Sequence, residues 1–115
     1  MNDTLKLTIA KKFIDYLNSR DIDALTTVIT EDFYESIYHG PIIRKGRDNV
    51  LANIKSRSSE QPKIYIKILA EFQLGQHVVL HERILLGSQA LETFEVISIF
   101  TFLGDKIKSI DFIKQ

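Results

Sequence analysis

Apolar residues in the first part of the chain recur with the spacing of a helix. Every fourth residue from Leu5 to Leu17 is apolar, which predicts an amphipathic helix from Thr4 to Leu17. Asp21 can cap a short second helix, because its side-chain oxygen can accept from the unpaired N–H groups of the first turn. A third helix is predicted to open at Gly46, with a buried stripe made of Val50, Leu51 and Ile54.

The rest of the chain alternates in the manner of strands. A first strand is predicted from Phe33 to His39, where Gly40 and Pro41 end it. Beyond Pro62, β-branched and aromatic runs separated by glycines predict a meander of four antiparallel strands, at Lys63–Gln73, His77–Leu86, Ala90–Leu103 and Lys106–Lys114. Strands of about ten residues are long, and a strongly bent sheet wrapping the first helix explains them. Helices first and a meander last predict one α+β domain over residues 1–115.

Charge and composition exclude several classes of partner. Fifteen Lys and Arg balance fifteen Asp and Glu, so there is no electrostatic footprint for nucleic acid or for an acidic membrane. No run approaches the roughly 20 apolar residues of a transmembrane helix, and the N-terminus lacks the apolar stretch of a signal peptide. The absence of cysteine excludes thiol chemistry and fits a reducing compartment, so a cytoplasmic protein is expected.

The order of elements resembles the nuclear transport factor 2-like superfamily, with its SnoaL-like, ketosteroid isomerase and limonene-epoxide hydrolase branches. The resemblance covers essentially the whole chain. It is carried by the order and spacing of short motifs, namely Leu17–Asp21 with Leu25, Thr30–Phe33, Gly46–Val50, His81–Arg83 and Phe100–Phe102 ahead of Gly104–Ile107. It implies a cystatin-like α+β barrel, in which a cone-shaped, mostly antiparallel sheet wraps the N-terminal helices, and it implies dimers that pack sheet against sheet.

The resemblance does not bring a known mechanism with it. Matching the isomerase motifs puts Phe13 at the oxyanion tyrosine, Ile37 at the proton-transfer carboxylate and Ser98 at the protonated acid. A hydroxyl does not shuttle protons as a carboxylate does at neutral pH, so isomerisation of the ketosteroid type is not expected. In the hydrolase branch Arg83 matches the catalytic arginine, but Leu85 and Phe112 replace the two aspartates. Asp111 adjoins the second of these positions, and a slip of one residue points a side chain to the other face.

The side chains that remain on the presumed pocket face define the candidate site. Glu35 and Arg83 are the most specific candidate pair. They are interpreted either as a base or ligand anchor that an arginine holds, or as a structural ion pair. His39 is a candidate acid or base at the mouth, or an exposed histidine at a loop edge. Ligand contacts are predicted for Phe13, Tyr16, Ile37, His81, Ser98 and Phe100. The basic stretch with Arg44 and Arg47 either attracts an anionic group or is a solvated loop.

No metal or other cofactor is expected. His77 and His81 are four residues apart on a strand, which separates them by about 13 Å and prevents chelation of one ion.

Two functions remain open at this point. The first is a protein that binds a small apolar or aromatic ligand in an apolar pocket, as a binder or as a metal-free enzyme of isomerase or hydrolase type. The second is a non-catalytic dimeric interaction or scaffold domain. The opposite sheet face supports a homodimer, because it is predicted to carry an apolar surface too rich to leave in water, formed by Glu82, Ile84, Leu86, Glu95, Ile97, Ile99 and Thr101.

Overall fold

A computed structural model describes residues 4–57, 64–86 and 92–114. Within these ranges the chain forms the helices α1 (Thr4–Ser19), α2 (Ile22–Thr26) and α3 (Arg47–Arg57). Its strands are β1 (Ile29–Ile37), β2 (Ile42–Lys45), β3 (Ile64–Leu74), β4 (His77–Leu86), β5 (Glu92–Leu103) and β6 (Lys106–Lys114). None of the described helices is long and apolar enough to cross a membrane.

The strands form one curved, mixed sheet in the order β2-β1-β6-β5-β4-β3. The pairing of β1 with β6 is parallel, and the other pairs are antiparallel. The predicted α+β fold, with its mostly antiparallel meander and its helix on the concave side of the sheet, is therefore confirmed. Two predicted strand starts, Lys63 and Ala90, lie outside the described residues.

The predicted elements differ from the structure around the first strand. Residues 42–45, predicted as a loop, form an edge strand that pairs with β1. β1 begins at Ile29 rather than Phe33, since Ile29 pairs with Ile107, whose N–H donates to Val28 O at 2.8 Å. The polar run Thr30–Asp32 looks like a turn in isolation, but it is extended between Ile29 and Tyr34, which pair with β6 on either side of an irregularity in the register.

The core lies between α1 and the concave face of the sheet. Phe13 of α1 is 3% exposed, and its ring lies 5.8 Å from the Phe100 ring in an edge-to-face arrangement and 6.2 Å from the Phe33 ring. Such pairs add roughly 0.5–1.5 kcal/mol beyond the burial of apolar area. This cluster anchors the middle of the helix to β1 and β5.

The end of α1 is tied to the edge strand β3. The Asn18 side chain donates to Ile66 O at 2.9 Å and accepts from Ile66 N at 2.8 Å, so it pairs with the strand as another strand would. Arg20, with a positive φ of 60°, donates from Nη2 to Ile64 O at 2.7 Å. These bonds satisfy groups that an edge strand otherwise leaves open, and they hold the helix across the mouth of the curved sheet.

Candidate functional site

A cavity of about 530 Å³ lies between the concave face of the sheet and the helices α1 and α3. Most of its wall is apolar and includes Leu17, Ile66, Ile84, Val96 and Phe112. Exposure falls along the paired strands β4 and β5, from Phe94 at 40% to Ser98 at 1%. Phe94 therefore marks the open end, and Ser98 marks the deep end, near Phe13.

Glu82 is the charged side chain at the deep end. It lies on β4 between the buried residues Leu80 and Ile84, and it is itself 2% exposed. Ser98 Oγ, on the neighbouring strand, donates to Glu82 Oε1 at 3.0 Å. The second oxygen, Oε2, is buried and has no hydrogen-bond partner among the described residues.

The pKa of Glu82 is raised from 4.5 to about 7. Burial is the main cause, because removing a carboxylate from water disfavours its charged form. The hydrogen bond from Ser98 acts in the opposite direction, since it stabilises the carboxylate, but it does not offset the burial. Glu82 can therefore take up and release a proton close to neutral pH.

A second carboxylate in the cavity wall is already paired. Glu35 of β1 accepts from Arg44 Nε of β2 at 3.1 Å, and its side chain is 12% exposed. The strand pairing brings the two together, because Glu35 and Arg44 are direct neighbours in the antiparallel register. Arg44 belongs to the segment 42–45, which the sequence does not predict as a strand.

The predicted pairing of Glu35 with Arg83 is therefore wrong. Arg83 lies on the outer face of the sheet, where Nη2 donates to Glu95 Oε2 at 3.3 Å. His81 shares that face and contacts Glu95 Oε1 through Nε2 at 2.6 Å. His81 and Arg83 together lower the pKa of Glu95. Neither His81 nor Arg83 lines the cavity, so both predicted placements in the pocket are corrected.

The alternation within β4 explains this error. Positions 78, 80, 82, 84 and 86 hold four apolar residues around Glu82, whereas positions 77, 79, 81, 83 and 85 hold two apolar residues and three polar ones. The more apolar set faces the core, as strand geometry requires. The motif match at Arg83 instead predicts that positions 77, 79, 81, 83 and 85 face the pocket. It therefore also predicts Glu82, Ile84 and Leu86 on the outer face, which is wrong.

The other predicted residues are divided between the cavity and its surroundings. Phe13 and Ser98 line the cavity, and Phe100 is fully buried behind Phe13. Tyr16 packs against the core, and Ile37 is half-buried at the end of β1, but neither lines the cavity.

Two polar residues near β1 lie away from the cavity. His39 is exposed on the turn after β1, with its ring 4.0 Å from that of Tyr38. Asp111 accepts a hydrogen bond from Ser36, the neighbour of the cavity residue Glu35. Since neighbours on a strand face opposite sides, Asp111 is turned to the outer face. Among the described residues, no three His, Asp or Glu side chains come together as a metal-binding group.

This arrangement, a cone-like sheet closed by helices over an apolar cavity with a buried acid, defines a protein of the cystatin-like α+β class. The model of the SnoaL-like domain family matches residues 10–110. The chain belongs to that family. No curated protein matches the sequence.

Solved structures show the same fold. An uncharacterised cystatin-fold protein from Novosphingobium aromaticivorans is 27% identical, with a TM-score of 0.86 over 95% of this chain and 97% of that one. An LEH-like epoxide hydrolase from M. tuberculosis is 16% identical, with a TM-score of 0.81 over 98% and 84%. A protein with a ketosteroid isomerase-like fold from Catenulispora acidiphila is 14% identical, with a TM-score of 0.75 over 93% and 85%.

Proposed function

We propose that the protein binds a small, largely apolar molecule in its cavity and moves a proton on that molecule through Glu82, without a metal. The observation that carries the proposal is the Glu82 carboxyl at the deep end of an apolar cavity, with one oxygen held by Ser98 and the other unpartnered among the described residues. A general base or acid works best when its pKa is near the operating pH, and the pKa of Glu82 is about 7.

A purely structural role accounts poorly for this carboxyl. A buried polar atom without a partner costs free energy, and a buried charge costs more. Leucine or glutamine at position 82 would avoid the cost of burying a charge. Residues that lower stability in this way concentrate at functional sites, and this one belongs to the wall of the cavity.

The test uses a probe that reports a carboxylate base in an apolar cavity without knowledge of the natural ligand. The ring of 5-nitrobenzisoxazole opens when a base removes its C–H proton, and the phenolate product absorbs visible light. We expect the protein to accelerate this reaction with a pH dependence centred near 7, because only the ionised carboxyl accepts the proton. Glu82→Gln should lose about a hundredfold in rate.

Glu95→Gln is the matched control, since it removes a carboxylate from the outer face of the same sheet. Equal rates for Glu82→Gln and the unmodified protein would show that Glu82 is not the base. The measured pH dependence provides a second criterion, because a base with an ordinary carboxyl pKa would act fully already at mildly acidic pH.

The outer face of the sheet supports a second proposal, that two copies of the chain associate through it. Val79, Ile97 and Ile99 are only half-buried there, Ile113 is 38% exposed and Phe72 is 61% exposed. A contiguous apolar surface of this kind is typical of an interface. An interaction domain without chemistry would use the same face.

Ile97→Lys tests the association, because it puts a charge in the middle of the face. We expect a dimer mass for the unmodified protein in light scattering and a monomer mass for the variant. Asp105→Lys, at the exposed turn between β5 and β6, is the control and should remain dimeric. A monomer mass for the unmodified protein would contradict the proposal.

A further inference from the structure

Positive charge exceeds negative charge among the described residues that line the cavity. These include four cations and two carboxylates, namely Arg20, Arg44, Arg57 and Lys114 against Glu35 and Glu82. Arg44 and Glu35 neutralise each other at 3.1 Å. Three cations then remain against one carboxylate, in a chain whose charges balance overall.

These three cations lie at the rim of the cavity. Arg20 donates to Ile64 O, and Ile64 pairs with Leu86 at the end of β4. Lys114 is exposed and pairs with Val96, which pairs with Glu82 on its other side, so Lys114 lies two strands away from Glu82 at the same level of the sheet. Arg57 is exposed at the last position of α3, four residues after the lining residue Asn53 and so on the same side of the helix.

Apolar wall separates Glu82 from Arg20 along β4, and Val96 separates Glu82 from Lys114 across the sheet. Leu86 is four residues further along the strand than Glu82, which corresponds to about 13 Å. Ile84, Val96 and Phe94 line this stretch. An occupant beside Glu82 therefore contacts apolar wall, and a group of that occupant that extends to the rim meets cations.

We infer that the cavity takes a small amphipathic anion, with an apolar ring or chain beside Ile84 and Val96 and a carboxylate or sulfonate at the exposed rim near Arg57 and Lys114. This inference rests on the proposed function, because it names the class of molecule that the same cavity holds. Arg20 already donates to two backbone carbonyls, so Arg57 and Lys114 are the cations best able to turn toward a ligand.

Two fluorescent dyes that differ by one anionic group distinguish a failure of the anion inference from a failure of the proposed binding in the cavity. N-phenyl-1-naphthylamine is neutral, and 8-anilino-1-naphthalenesulfonate is the same skeleton with a sulfonate. Both are titrated into the full chain and into the variant Arg57→Gln/Lys114→Gln. The control variant Lys12→Gln/Lys108→Gln removes the same charge from exposed positions outside the cavity, and thermal melting checks that each variant is folded.

We expect both dyes to bind the unmodified protein. Arg57→Gln/Lys114→Gln should weaken the binding of the sulfonate dye about fivefold, as expected for the loss of two exposed ion pairs. The neutral dye should change by less than about twofold, and the control variant should leave both dyes unchanged. Added salt should weaken the binding of the sulfonate dye and leave the binding of the neutral dye unchanged. Equal effects on the two dyes, or an equal effect of the control variant, would overturn the anion inference while leaving the apolar cavity in place. Failure of both dyes to bind the unmodified protein would overturn the cavity proposal itself.

Discussion

Burial of the Glu82 carboxyl predicts that the protein loses stability as the pH rises through neutrality. In the unfolded chain this carboxyl has its ordinary pKa of 4.5, and in the fold its pKa is about 7. Below about pH 4.5 both states hold the proton, so the group has no effect. Between the two values only the unfolded state releases the proton, which favours unfolding. Above about pH 7 both states are ionised, and the penalty reaches its plateau.

The plateau follows from the two pKa values. A difference from 4.5 to about 7, at about 1.4 kcal/mol per pH unit, corresponds to about 3 kcal/mol of unfolding free energy. A penalty of that size is a large fraction of the 5–15 kcal/mol that is usual for a folded domain. Glu82→Gln removes the charge and leaves an oxygen to accept from Ser98. The variant should therefore gain stability relative to the unmodified protein as the pH rises.

Urea unfolding at several values between about pH 5 and about pH 8.5 measures this difference. We expect the stability advantage of Glu82→Gln over the unmodified protein to be about 2.5 kcal/mol larger at the upper end than at the lower end, because part of the penalty is already present at about pH 5. Glu31→Gln is the control, because it removes an exposed carboxylate of β1 rather than a buried one, and the variant should show no such gain. Parallel profiles for Glu82→Gln and the unmodified protein would refute the reasoning, because the carboxyl would then be ionised as easily inside the fold as outside it.

Further variants test the cavity residues one at a time. Ser98→Ala removes the donor that favours the ionised carboxyl, so the pH at which the benzisoxazole reaction reaches half its maximal rate should move up; an unchanged midpoint would contradict the role of Ser98. Arg44→Gln leaves the 12% exposed carboxylate of Glu35 without its partner and should cost about 1–2 kcal/mol in urea unfolding, part of which Glu35→Gln in the same chain should restore. Phe13→Ala removes a ring that is 3% exposed and should cost about 3–5 kcal/mol, measured by thermal melting; a smaller loss would mean that the cavity collapses around the gap.

The sequence predicted the fold better than the site because the two depend on different information. The spacing from Leu5 to Leu17 and the long alternating runs after Pro62 are local patterns, and each predicts its element without reference to a partner. β2 is different, because a strand of four residues has too little alternation to be distinguished from a loop. The strand β2 is held by its pairing with β1. It carries Arg44, the partner of Glu35, so that partner was not predicted either.

The face of β4 depends on both kinds of information. Antiparallel partners share a face, and Ser98 pairs with Leu80 while Val96 pairs with Glu82. An inward Ser98 therefore requires an inward Glu82 and an outward Arg83. That relation depends on the register between β4 and β5, which residues 77–86 and 92–103 do not specify when each is taken alone. The alternation within β4 did favour the correct face, but a motif match to Arg83 favoured the other.

Glu82 was difficult to recognise for a physical reason that also makes it the best candidate for function. A single carboxyl within an otherwise apolar set weakens the pattern that would assign it to the interior, and burial raises its free energy there. Local consistency between sequence and fold is expected to fail where a residue is kept for something other than stability. The outward cluster of His81, Arg83 and Glu95 resembles an active site more closely in its residue types, yet its members bind one another in partial contact with water. In this chain the chemistry is therefore expected at the residue that fits its surroundings least well.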